Sequence, residues 1–173
     1  VLLPVLILLG TMLTAAWGPA QQRPTAPPLA EAKATLVPGL SLRLEQGAVV
    51  DVRDTRLAAL TVPAGTAPSP FLAPGPFKAL WEGFVSVDLG TDVQFSASGR
   101  GSLRVLINTK PALEAKGGDL STTEGPSLRL KKGRNALQVF YEPPADGEAA
   151  VRLLWTSSDF PKEPVPPLSL SHD

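Results

Sequence analysis

Six stretches of this chain alternate apolar and polar side chains with a period of two, the pattern of strands half-buried in a sheet. Leu40, Leu42 and Leu44 form the first apolar face. Ala79, Trp81, Gly83, Val85 and Val87 form the second, and Val93, Phe95 and Ala97 the third. Leu103, Val105 and Ile107, then Leu137, Val139 and Tyr141, then Val151, Leu153 and Trp155 complete the set. Turn signals separate the runs: Leu89-Gly90, Gly99-Arg100-Gly101, Gly117-Gly118, Lys132-Gly133 and Pro143–Gly147. Short, evenly spaced strands of this kind fit an antiparallel sandwich or barrel. No amphipathic helix or internal repeat competes with that reading after residue 40.

The 19 prolines respect the same pattern. Most of them gather before residue 40, in Pro63–Pro76 and in Pro161–Pro167, where a missing N–H breaks no ladder. Disorder of the whole chain is excluded, because 43% of it is apolar and its 16 basic and 16 acidic residues balance.

The start of the chain is of a different kind. Val1–Trp17 carries no charge, and none appears until Arg23. An 18-residue helix over this stretch spans about 27 Å, close to the ~30 Å of a hydrocarbon core. Pro4 falls in its first turn, and Trp17 stands where an interfacial aromatic belongs. The only small–x–small cleavage site, Gly18-Pro19-Ala20, contains a proline, which favours a retained signal anchor over a cleaved peptide. The stretch to Pro38 holds Pro19, Pro24, Pro27, Pro28 and Pro38 and reads as a semi-rigid linker, with one helical turn at Ala30–Ala34. The expected organisation is a transmembrane helix at 1–18, a Pro-rich linker at 19–38, an all-β antiparallel sandwich at 39–170 and a tail at 171–173.

Chemistry is sparsely supplied. No cysteine is present, which excludes disulfides, thiolate metal sites, a CxxCH haem and cysteine nucleophiles. The single histidine, His172, is a poor basis for a Ser–His–Asp triad or a histidine zinc site. Zero net charge gives no general attraction to nucleic acid. The acidic pairs Asp51/Asp54 and Asp88/Asp92 read as solvated turns. Arg129, Lys131, Lys132 and Arg134 form a small basic patch at a hairpin end, with anionic lipid or an acidic partner as its alternative use. Glu142, Asp146 and Glu148 flank a proline turn. No catalytic residue, metal ligand or cofactor is assigned.

The run Phe77-Lys78-Ala79-Leu80-Trp81-Glu82-Gly83-Phe84-Val85-Ser86-Val87 resembles the W-x-G-x-x-x-V strand of the protective-antigen fourteen-kilodalton domain family. Val93–Ala97, Ser102–Asn108, Leu128–Gly133, Gln138–Glu142, Ala150–Ser157 and Pro164–Leu168 follow in the order of that family's later strands. The resemblance covers about Pro38–Leu170 and implies a β-sandwich with Trp81 and Trp155 in its core. In sugar-binding members it implies paired aspartates, holding calcium, in a loop that corresponds here to Ser98-Gly99-Arg100-Gly101. The carboxylates are missing and an arginine stands there, which argues against a calcium-dependent lectin site. Gly75-Pro76-Phe77 and Glu163–Pro167 resemble modules that lie beside c-type cytochrome domains in bacterial envelope proteins.

The expectation is therefore a non-catalytic subunit, anchored once in a bacterial inner membrane with its β-sandwich in the periplasm. It would dock on a larger membrane protein complex, of the electron-transport or photosynthetic kind, through the helix, the linker and the Phe71–Phe77 loop. Its partners would be that complex, the lipid bilayer and a c-type cytochrome neighbour, and not nucleic acid. The alternative is a carbohydrate-binding module of the cell envelope.

Overall fold

The computed structural model describes residues 36–173. The expected transmembrane helix at 1–18 and most of the Pro-rich linker lie outside the described residues. Among these residues no helix is long and apolar enough to cross a membrane. Regular structure is almost entirely strand: β1 (Val37–Pro38), β2 (Leu40–Gln46), β3 (Val49–Thr55), β4 (Ala59–Val62), β5 (Lys78–Val87), β6 (Thr91–Ile107), β7 (Lys110–Gly117), β8 (Glu124–Leu130), β9 (Gly133–Glu142), β10 (Ala149–Ser157), β11 (Glu163–Pro164) and β12 (Leu170–His172). Two short 3-10 turns, Leu120–Thr122 and Pro167–Ser169, complete it.

Every pairing is antiparallel. In the first sheet β5 and β9 lie side by side, from Ala79 opposite Tyr141 to Val87 opposite Gly133. The other edge of β5 is shared: β2 takes Lys78–Glu82 and β12 takes Phe84 and Val85. Outside them run β3 against β2 and β1 against β12. In the second sheet β10 pairs with β6 on one side and with β4 and β11 on the other, and β8 takes the far edge of β6.

Strand β6 belongs to both sheets. Its 17 residues pair with β10 over Val93–Arg100 and with β9 over Ser102–Ile107. Gly99-Arg100-Gly101, expected as a turn, is instead the place where one strand bends from sheet to sheet. Gly99 and Gly101 take φ of 116° and 118° there, a region favoured by glycine. A Cβ on Gly99 would stand 2.0 Å from the Ala150 carbonyl oxygen. This crossover defines the upper end of the sandwich.

The alternating runs pack inward as expected. Leu40, Leu42 and Leu44 of β2, Phe95 and Ala97 of β6, and Leu137, Val139 and Tyr141 of β9 form one apolar core. Trp81 is fully buried from the first sheet and Trp155 from the second, where its ring meets Phe160 at 4.9 Å between centroids. Gly83 sits where β2 gives way to β12 beside β5. A side chain there would meet the Ser171 carbonyl oxygen at 2.5 Å, so the close approach expected of this glycine is present.

Two boundaries differ from expectation. The supposed tail carries β12, and His172 is buried. The supposed linker ends in β1, which pairs with β12 at Val37–His172 and Pro38–Ser171. Strands of two and three residues are too short to show a period, so their alternation was invisible.

Candidate functional site

The upper end gathers β6 at its crossover, the β9–β10 loop, the end of β7 and the long loop between β4 and β5. Tyr141 fixes its floor. Its hydroxyl donates to the carbonyl oxygen of Arg100 at 2.8 Å, tying β9 to the crossover. Burial pushes the Tyr141 hydroxyl up to about 12, against smaller opposing effects of the Ala150 carbonyl and the Arg100 cation. A raised value means the neutral phenol is favoured by folding. Its contribution is complete below the ordinary tyrosine range near 10 and is lost as pH rises toward about 12. Denaturant melts between pH 9 and roughly 12 should therefore lose stability more steeply for the native chain than for Tyr141→Phe. Parallel curves would show that Tyr141 does not drive the alkaline loss.

Arg100 leaves this floor and lies against the β9–β10 loop, with a guanidinium nitrogen 3.2 Å from where a Cβ on Gly147 would be. Its Nε is buried without a hydrogen-bond partner among the described residues. Beside it runs an open groove of about 410 Å³, lined by Arg100, Ser102, Lys116, Glu142 and Pro143–Ala145. Glu142 is already engaged by Lys78 at 2.8 Å, and this contact raises the lysine's pKa. Neither Arg100 nor Lys116, both lining residues of the groove, forms an ion pair among the described residues. The arrangement suits a carboxylate or sulfate carried on a polar ligand.

Gln46 holds the long loop against the first sheet. Its amide nitrogen donates to the carbonyl oxygens of Ala73 at 3.1 Å and Pro76 at 3.3 Å, and its oxygen accepts from the Ala73 N–H at 2.9 Å. Arg53 donates to the Pro68 carbonyl oxygen at 3.2 Å. Leu72 and Phe77 are buried beneath the loop, while Phe71 stands 74% exposed on it. Sequence reasoning missed Gln46, because a lone glutamine at the end of a strand carries no signal of its own.

The acidic residues are dispersed. Asp51 and Asp54, expected in a turn, lie on β3, and Asp54 meets His172 Nε2 at 3.0 Å. Asp92 lies on β6 and pairs with Arg129 at 3.0 Å, and Asp88 remains in a turn. The basic patch is divided in the same way. Arg129 is paired, Arg134 lies 4.9 Å over the Phe84 ring, and Lys131 and Lys132 stay exposed in the β8–β9 turn. Among the described residues no three His, Cys, Asp or Glu side chains gather to hold a metal ion.

The fold as a whole has counterparts among solved structures. An anti-sigma factor domain-containing protein from Clostridium clariflavum superposes with a TM-score of 0.66 at 16% identity, over 76% of this chain and 46% of that one. The PA14 sugar-binding domain of an RTX adhesin gives 0.65 at 15% identity, over 79% of this chain and 99% of that one.

The fold is the protective-antigen-like (PA14) β-sandwich.

A further match is the Epithelial Adhesin 6 A domain from Candida glabrata, solved in complex with Galb1-3GlcNAc. It gives 0.60 at 13% identity, over 80% of this chain and 88% of that one. The chain spans just under half the length of the first of these proteins but nearly all of the RTX adhesin domain. No family model matches the chain, and no curated protein matches it by sequence. The PA14 likeness agrees with the order of strand motifs in the sequence and is a likeness of fold.

Proposed function

We propose that this chain is a non-catalytic binding module that recognises an acid-bearing glycan at the upper end of its β-sandwich. It does so without calcium and outside the cytoplasm, tethered by the apolar segment Val1–Trp17. The observation that carries this reading is the Arg100 groove. At the crossover where the sequence resemblance expects metal-binding carboxylates, the chain places a cation beside a second cation, Lys116. A guanidinium binds a carboxylate directly and in a fixed plane, so a uronate or sialate needs no bridging ion. The adhesin and sugar-binding domains that share the fold support a glycan as the ligand class.

Glycan-array binding tests this directly. Uronate- or sialate-bearing glycans should be retained in the presence of a chelator, and Arg100→Gln should weaken them at least about tenfold, the loss of one charge-assisted pair. Binding that disappears with the chelator, or an unchanged Arg100→Gln, would overturn the reading. The second reading is a membrane-anchored subunit docking on a larger complex. It is favoured by the charge-free Val1–Trp17 stretch, and co-extraction of a stable complex in mild detergent tests it.

A further inference from the structure

Strand β3 is the outer edge of the first sheet. It pairs with β2 along its whole length, and among the described residues nothing pairs with its other side. Such an edge is usually blunted by proline, lysine, a bulge or inward-pointing charges. Val49-Val50-Asp51-Val52-Arg53-Asp54-Thr55 has no proline, lysine or bulge; Asp51 and Arg53 stand on the core-side face opposite Leu44 and Leu42, and on the other face Val50 and Val52 are 44% and 59% exposed.

The register fixes which backbone groups face outward. Gln46 and Val49 close a two-residue hairpin loop, with Gly47 at φ 59°. In a two-residue hairpin the closing pair is hydrogen-bonded, and alternation then turns Asp51, Arg53 and Thr55 toward β2. The N–H and C=O groups of Val50, Val52 and Asp54 are thereby aimed away from the sheet.

Read against itself in the antiparallel sense, this strand is complementary. With Val52 opposite Val52 of a second copy, Val50 falls opposite Asp54, and Asp51 falls opposite Arg53 twice, once on each side of the two-fold axis. The outward-facing backbone groups meet one another in the same register. Shifting the axis to Asp51 would set Asp51 against Asp51, and shifting it to Arg53 would set arginine against arginine, so charge selects the Val52 axis.

We propose that a second copy of this chain pairs along β3, joining two first sheets into one continuous sheet about a two-fold axis at Val52. Both upper-end grooves would then lie on one two-fold assembly, which offers two attachment points to a repeating ligand.

The absence of cysteine makes the test direct, since each variant carries a single thiol. Across a hydrogen-bonded antiparallel pair the Cα atoms lie about 5.5 Å apart, within the range a disulfide spans. In the full chain in mild detergent, Val52→Cys should oxidise to a disulfide dimer, whereas Leu168→Cys, on a wholly exposed turn, should not. Adding Asp51→Arg to Val52→Cys should cut the dimer yield about tenfold, and adding Arg53→Asp as well should restore it, because the swapped pair is again self-complementary. Equal cross-linking of Val52→Cys and Leu168→Cys would overturn the proposal. So would failure of the double swap to recover the dimer in protein whose thermal melt is native.

Discussion

Gly99→Ala is expected to lower the stability of the sandwich by at least about 3 kcal/mol, read as a shift of the urea midpoint with an unchanged slope. Two effects act together. An alanine at φ 116° is forced into a region L-residues avoid, and its Cβ would stand 2.0 Å from the Ala150 carbonyl oxygen and 2.9 Å from the Val151 Cα. Neither neighbour is the far end of a flexible side chain; both are backbone of the paired strand, so β10 itself would have to move. Gly47→Ala is the control. Gly47 also has a positive φ, of 59°, but a Cβ there meets nothing within 4 Å. Its cost should stay near about 1 kcal/mol, the conformational part alone. Equal losses at the two positions would show that the close approach of β6 and β10 contributes nothing.

Trp81→Ala should be comparably severe, at about 3–5 kcal/mol. Among the described residues Trp81 is the largest side chain with no exposure at all, on β5 between β2 and β9, and its removal leaves an apolar void in the core. Trp81→Phe separates packing from polarity. The indole N–H is buried without a partner among the described residues, so phenylalanine gives up volume but also removes an unsatisfied donor. Its loss should therefore be well under half that of alanine. A phenylalanine variant as unstable as the alanine one would mean that the indole shape, and not the area it buries, holds the two sheets together.

The strands legible in the sequence were those with one wet and one dry face. Leu40–Leu44, Lys78–Val87 and Asn135–Tyr141 alternate because the first sheet packs on its inner side only. Strand β3 was not legible, because its burial runs against its hydropathy: Val50 and Val52 are exposed, while Asp51, Arg53 and Thr55 take the half-buried face. Strand β7 was hidden by Pro111 and by a run with two adjacent buried residues, Ala112 and Leu113. The crossover was misread for a local reason. Two glycines flanking an arginine are the composition of a turn, and only the pairing partners on either side show that the strand continues through them. The candidate site was half visible. Arg100 stood out as a cation where the family resemblance expects carboxylates, but Lys116 and Pro143–Ala145 reach it only because β7 and β9 both end at the crossover.

The pairing of β1 with β12 has a mechanical consequence. Val37 lies opposite His172, so the first and last of the described strands meet at neighbouring points on the same sheet edge. Tension applied between those two points does not shear a long ladder in which many hydrogen bonds resist together. It peels β1 from β12 one bond at a time, and next lifts β12 from the two residues of β5 it covers. The sandwich should therefore yield at its rim under low force while Trp81 and the crossover stay folded.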